Sequence, residues 1–286
     1  MKNTIEVKNL SKTYSGFKLD NLNFTIPEGA IVGLIGENGA GKTTTIKAIL
    51  NIIKVTGEIE VFGQDNKKYE KKIKEDLGVV LDDSFLSEYL TAKQIDKVMR
   101  KFYKNWDQNK YFTYLKEFQL PEAKLIKEYS SGMKMKLKIA TALSHNPKAL
   151  ILDEPTSGLD PIIRNEILDI FRKYILEDES RSILLSSHIT TDLEQIADYI
   201  IFIHQGKIIF NVPTIDLLEN YGIIKCNEKE FQYLDKIDII SYKKDKYAYQ
   251  VLVSNKDNIK KKYKLTVIDK PTIEDIMLFY VKGERK

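Results

Sequence analysis

The chain has 286 residues, 43% of them apolar and 30% charged, with one cysteine and a net charge of +4. That length carries an ample core, as one large unit or a large and a small one, and the composition excludes a disordered chain. The lone Cys226 excludes an internal disulfide and has no metal-ligand neighbours. No window approaches the ~20 uninterrupted apolar residues of a membrane span. The start, Met-Lys-Asn-Thr-Ile-Glu-Val, has no apolar signal core, so a chain kept in the cytosol is expected. The basic excess sits in residues 225–286, with 15 Lys/Arg against 10 Asp/Glu. A solvated face explains those lysines more simply than a nucleic-acid or lipid contact.

Thr4–Lys8 and Leu22–Ile26 alternate polar and apolar residues, which predicts half-buried antiparallel strands. Between them Lys12–Gly16 reads as a loop with one exposed aromatic, Tyr14. The apolar run Ala30–Ile35 predicts a buried strand, and Thr43–Ile53 a helix with apolar residues at 46, 49, 50 and 53. Between strand and helix stands Gly36-Glu37-Asn38-Gly39-Ala40-Gly41-Lys42-Thr43-Thr44. Glycines at this spacing let backbone N–H groups turn inward around phosphates, with Lys42 reaching the β/γ oxygens and the Thr43 hydroxyl on Mg²⁺. The positive end of the following helix points at the same anion. Gly57–Gly63 and Leu77–Asp82 predict two more strands, the second ending in Asp82 and Asp83.

From about 84 to 128 the pattern is helical throughout, with runs over Thr91–Asn105 and Asp107–Phe118. Trp106 lies between them among Phe102, Tyr103, Tyr111, Phe112 and Tyr114, for which local packing is the default and a docking surface for a partner helix the sharper option. Tyr129-Ser130-Ser131-Gly132 opens a helix to about Ser144, leaving hydroxyls and backbone donors at its start. Ala149–Leu152 is a buried strand ending in Asp153 and Glu154. Paired carboxylates there are expensive without a cation. In a P-loop protein the first holds Mg²⁺ and the second orients or deprotonates the attacking water. Asp160-Pro161 starts an amphipathic helix. Arg181–Ser187 is a further strand, ending at His188, whose imidazole sits where such folds bind ligands. His145 and His204 have no such context. Asp198–His204 and Lys207–Asn211, joined by Gln205-Gly206, predict a hairpin. Past Tyr221-Gly222 the sequence predicts a small α+β appendage, with strands over Tyr247–Val253 and Leu265–Ile268 and a helix after Pro271-Thr272, where Asp275 is placed for a capping box.

These motifs, in this order, resemble an ATP-binding cassette (ABC) ATPase, the nucleotide-binding subunit of a membrane transporter, over residues 1 to about 220. The resemblance implies an α/β P-loop core with a mixed sheet and an antiparallel β subdomain, a helical subdomain at about 84–145, and a C-terminal accessory unit at 221–286. It places Tyr14 against adenine, Gly36–Thr44 as Walker A, Asp153 and Glu154 at the end of Walker B with Glu154 as catalytic base, Ser157–Asp160 as the D-loop and His188 as the switch histidine. Tyr129–Met133 stands at the signature motif and keeps only Ser130 and Gly132 of the usual Leu-Ser-Gly-Gly-Gln, with Ser131 where glycine is normal. Asp82 stands at the Q-loop position, usually glutamine. ATP and Mg²⁺ are the implied cofactors. A second ATPase subunit, a homodimer in the simplest case, and a separate membrane permease are the implied partners, and no nucleic acid is expected. The overall style is most like bacterial drug, bacteriocin and amphipathic-peptide exporters, peripheral on the cytoplasmic face of the membrane. The alternatives are a soluble ABC ATPase acting on ribosomes or nucleic acid, and a different P-loop enzyme such as a kinase or a GTPase. Against a GTPase, Ser254-Asn-Lys-Asp257 lacks the spacer of a guanine motif.

Overall fold

The computed structural model describes residues 2–81, 86–244, 248–264 and 267–286. The alternating stretches near the start pair as predicted: β1 (Asn3–Tyr14) and β2 (Phe17–Pro27) are antiparallel, with Val7 opposite Phe24 and Leu10 opposite Leu22. β1 continues through Lys12–Tyr14, where the sequence predicts a loop, because Thr13 pairs with Lys18 and Tyr14 with Phe17. β3 (Ile31–Ile35) is buried along its whole length and feeds α1 (Lys42–Ile49). This helix stops short of the predicted Ile53 because Asn51 turns left-handed, at φ 53°. β4 (Thr56–Val61) and β5 (Gln64–Asp65) complete a sheet in the order β2-β1-β4-β5.

α2 (Glu70–Glu75) and β6 (Leu77–Val80) lead to the helical region: α3 (Ala92–Phe102), α4 (Gln108–Glu117) and α5 (Ser131–Leu143). Thr91 and Gln94 close a capping box on α3, and Asp107 caps α4. Trp106 packs locally: its indole N–H donates to the buried Asp96 at 2.9 Å and its ring lies 5.2 Å from Tyr111. Then come β7 (Ala149–Asp153), α6 (Pro161–Leu176), β8 (Ser182–Ser187), α7 (Thr190–Ile196), β9 (Tyr199–His204) and β10 (Lys207–Pro213). Among the described residues the central sheet runs β10-β9-β3-β8-β7-β6. β9, β3, β8, β7 and β6 are parallel, and β10 closes the predicted hairpin with Lys207 opposite His204. Their near-continuous apolar runs are what a sheet covered on both faces requires. The parallel arrangement puts the loops after β3, β7 and β8 on one edge, where open α/β sheets bind ligands.

After α8 (Thr214–Asn220) the tail forms β11 (Gly222–Cys226), α9 (Glu228–Tyr233), β12 (Ile239–Lys244), β13 (Tyr249–Val253), α10 (Lys256–Lys262) and α11 (Ile273–Lys282). Its sheet, β11-β13-β12, has its own apolar cluster with Ile224, Phe231, Tyr249 and Val251. Ile223, Leu252, Ile273, Ile276 and Phe279 instead join the cluster that holds Ile35, Leu193 and Phe202, so the tail shares a core with the sheet-bearing region. Thr272 and Asp275 form the predicted capping box. Of the strand predicted at Leu265–Ile268, Leu265 and Thr266 lie outside the described residues. Val267 and Ile268 lie outside any strand, and Asp269 makes one isolated bridge to Ile223.

His145 follows α5 and sits where the helical region meets the sheet, 1% exposed and stacked 4.0 Å from the Tyr103 ring. Its Nε2 is 3.0 Å from the Leu77 carbonyl, which can only accept, so Nε2 carries the proton and Nδ1 is left without a partner. Burial pushes this imidazole down to about 4. The folded chain therefore holds His145 neutral while the unfolded chain takes up a proton below about 6.5, so stability is lost as pH falls from 6.5 towards 4. The full loss is about 3 kcal/mol. Replacing His145 by Gln is expected to flatten the fall of Tm between pH 7 and 4.5 measured by calorimetry, and parallel curves for the two proteins would refute this origin.

Candidate functional site

The loop between β3 and α1 has the backbone that its glycines permit. A Cβ on Gly36 would lie 2.4 Å from the Ile203 carbonyl oxygen, and Gly41, the residue before α1, has φ +117°. Lys42 is 5% exposed, and a buried ammonium needs partners. It donates to the carbonyls of Gly36 (2.8 Å) and Glu37 (3.3 Å) and pairs with Glu154 Oε1 at 3.2 Å. Thr43 is exposed and Thr44 half-buried. Thr45 is buried and back-bonds to the Gly41 carbonyl at 2.9 Å.

β7 delivers Asp153 and Glu154 from the opposite side of β8. Asp153 is 1% exposed, and its Oδ1 accepts the Ser186 hydroxyl at 2.6 Å. Glu154 leaves the strand in the left-handed region at φ 51°, a strained setting for a residue with a side chain. Its N–H donates to Ser186 Oγ at 3.0 Å and faces the Ser186 carbonyl at 3.2 Å. The carboxylate then spans two groups. Oε1 faces Lys42, while Oε2 lies 2.7 Å from His188 Nδ1 and accepts the His188 N–H at 3.3 Å. The structure thus brings together Lys42 at the start of α1, Glu154 just past β7 and His188 just past β8. Ser186 joins them although nothing in the sequence marked it, since a serine in an apolar strand is ordinary.

The remaining candidates fall into two groups. Near the glycine loop, Glu37, Asn38, Gly39 and Ala40 line a cavity of about 440 Å³ with Gly16 and Phe17. Tyr14 is not among the lining residues; it ends β1, 43% exposed, with the Lys12 ammonium 5.1 Å from its ring centre. Phe17 is the aromatic beside the glycine loop, since a Cβ on Gly41 would meet its Cζ at 3.1 Å. Glu37 also lies 2.8 Å from His204 Nδ1, a contact the sequence did not suggest. Elsewhere, Ser130 caps α5 by accepting the Met133 N–H at 3.2 Å, Ser131 is exposed, and Gly132 is buried facing Ile163. Asp160 caps α6, accepting from Ile162 and Ile163 at 3.1 Å each. Asp82 lies outside the described residues.

Among the described residues no three His, Cys, Asp or Glu side chains cluster as metal ligands. A divalent ion here would instead use oxygens from Thr43, Asp153 and phosphate, the donor set that suits magnesium. The buried Asp153 carboxylate, with a neutral hydroxyl as its described partner, fits such a cation.

A glycine loop that leads a buried lysine into a helix, facing an acid pair across a parallel sheet, defines a P-loop nucleoside triphosphatase. The comparisons sharpen that class. The family described as ABC transporter matches residues 19–157. The bacitracin transport ATP-binding protein BcrA of Bacillus licheniformis is 37% identical over 242 residues, covering 82% of this chain and 77% of that protein. The lantibiotic transport ATP-binding protein SrtF of Streptococcus pyogenes is 34% identical over 208 residues, 72% and 89% of the two chains. A solved ATP-binding subunit of an ABC transporter superposes with a TM-score of 0.68 at 28% identity, over 75% of this chain and 91% of that one. The chain belongs to the ATP-binding subunits of ABC transporters and is an ATPase.

Ser186 gives a direct check on this geometry. Ser186→Ala removes the hydroxyl that holds both Asp153 and the Glu154 backbone while changing little volume. We expect about a tenfold lower kcat, of order 1.4 kcal/mol in the barrier, with ATP affinity within a factor of two. An unchanged kcat in a steady-state assay would show that the hydroxyl does not position the acids.

Proposed function

We propose that the chain is the ATP-hydrolysing subunit of a bacterial exporter of peptides, of the bacteriocin or antimicrobial kind, working on the cytoplasmic face of the membrane with a separate permease. The observation that carries the chemistry is the Lys42–Glu154–His188 constellation at one sheet edge. Peptide export is supported by the relatives, which handle bacitracin and a lantibiotic. Drugs are the second substrate class for subunits of this style. Among the described residues no helix is long and apolar enough to cross a membrane, and in this reading the permease supplies the membrane path.

In this reading ATP lies along the glycine loop, with backbone N–H groups and Lys42 on its phosphates and the base towards the cavity that Phe17 lines, within reach of Tyr14 only if the side chain turns in. Thr43 and Asp153 are the residues that would hold a magnesium ion, which would neutralise phosphate charge there. An incoming phosphate competes with Glu154 for Lys42, which frees the carboxylate to take a proton from the attacking water. His188 stays beside Glu154, at the edge where the γ-phosphate would lie, and can donate towards it. Ser130, Ser131 and Gly132 lie at the start of the 13-residue α5. They act on the nucleotide of a second subunit, where the Ser130 hydroxyl still has its proton to donate. Asp160 holds the adjoining turn.

The soluble alternative, an ATPase acting on ribosomes or nucleic acid, would rest on the basic tail. Several of those lysines are already paired within the chain: Lys262 with Asp235 and Asp238, Lys270 with Glu219, and Lys225 with Asp269.

Glu154→Gln keeps the size of the side chain and removes the base. It is expected to lower kcat at least 100-fold and to accumulate an ATP-bound dimer on gel filtration. In the native host, gentle solubilisation of this variant with Mg-ATP is expected to recover a polytopic membrane protein in one-to-one ratio. Recovery in the soluble fraction with ribosomes or nucleic acid would contradict the exporter reading.

A further inference from the structure

The short α7, which begins two residues after His188, carries a buried carboxylate that the chemistry above does not use. Asp192 is 1% exposed, yet its Oδ2 has no hydrogen-bond partner. The nearest cation is the guanidinium of Arg164 in the first turn of α6, with Nη1 3.8 Å from Oδ1. Arg164 Nε is buried and unpartnered too. The same guanidinium reaches the Leu159 carbonyl through Nη2 at 3.4 Å. Leu159 belongs to the turn that connects Glu154 to α6. Leaving both a buried carboxylate oxygen and a guanidinium N–H unmade is costly, so a purely structural pair would be expected to close fully. Burial pushes the Asp192 carboxyl up, opposed by the Thr156 hydroxyl and by the charges of Arg164 and His188. Thr156 lies in the turn after Glu154. Asp192 therefore faces, from the histidine side, Thr156 of the segment that follows the catalytic acid, and it reaches Leu159 of the same segment through Arg164.

We propose that Arg164 and Asp192 are positioning residues for ATP hydrolysis: together they tie the segment after Glu154 to the segment after His188 and so hold the Glu154–His188 contact at its working distance. The Glu154 backbone is strained and the His188 side chain is 43% exposed, so packing alone does not fix the histidine against the acid. The tie supplies that constraint from behind, through α6 and α7, without touching nucleotide. Arg164 suits the task because its fork addresses a backbone carbonyl and a carboxylate at once, which the single ammonium of lysine does less well. The inference rests on the assignment of Glu154 and His188 as a catalytic pair.

The test uses the full chain with Arg164→Lys, Asp192→Asn and the double variant. Each single change is expected to lower kcat about tenfold with the KM for ATP within a factor of two, and the double variant is expected to be no worse than the poorer single one. The chain has three histidines, so their ring resonances can be assigned individually by NMR. In both single variants the His188 ring signals are expected to move while those of His145 and His204 stay in place. Unchanged kcat with unchanged His188 signals would overturn the proposal, as would single effects that multiply in the double variant. A lower Tm with normal kcat per folded molecule would also overturn it, by showing a structural pair only. If Glu154→Gln itself left kcat intact, the failure would lie with the catalytic pair and not with the tie.

Discussion

The site is organised around one buried ion pair, Lys42 with Glu154 at 3.2 Å. Neither partner is on the same element as the other, and both are mostly withdrawn from water, with side chains 5% and 12% exposed. Taking either charge inside alone would cost several kcal/mol. Each is instead held by backbone around it: Lys42 by the Gly36 and Glu37 carbonyls, and Glu154 by a strained left-handed conformation anchored on Ser186. Such a pair is weak evidence for stability and strong evidence for use, because phosphate can take over Lys42 and release the carboxylate.

The parallel sheet makes this pairing possible. β3, β8 and β7 lie side by side in register, Ile35 opposite Ser187 and Asp153 opposite Ser186. Their ends therefore present Lys42, His188 and Glu154 in a row. The helical region and the tail attach outside that row. Among the described residues, the start of α5, where Ser130 caps the helix, makes no hydrogen bond or ion pair with Lys42, Glu154 or His188; in the proposed scheme it serves the nucleotide of a second subunit. The tail shares core residues with the sheet, and α11 approaches the same edge: Met277, Leu278 and Val281 face a cavity that also touches His188 and Glu37.

The sequence revealed the glycine loop, the acid pair and the histidine because each needs particular residues at fixed spacing beside an apolar strand. It missed Ser186, because the role of that hydroxyl comes from the register of β8 against β7, which spacing along the chain does not encode. Tyr14 drew attention as an exposed aromatic in an expected loop. The ladder runs through it to a turn at Ser15-Gly16, which sets Phe17 beside the glycine loop instead. β11 and β12 were not anticipated, since Lys225, Ser241, Lys243 and Lys244 dilute their apolar pattern and the pairing with β13 decides their conformation. Asp192 and Arg164 were invisible for the same reason as Ser186.

The central claim is that a complete catalytic site joins Lys42 of one chain to Ser130 of another. Mixing two inactive variants, Lys42→Ala and Ser130→Ala, tests it most directly. In a mixed pair one composite site loses both groups and the other keeps both. Hydrolysis in the mixture well above the sum of the two separate preparations, approaching a quarter of the unmodified rate, is the predicted result; a mixture no more active than that sum would contradict the account.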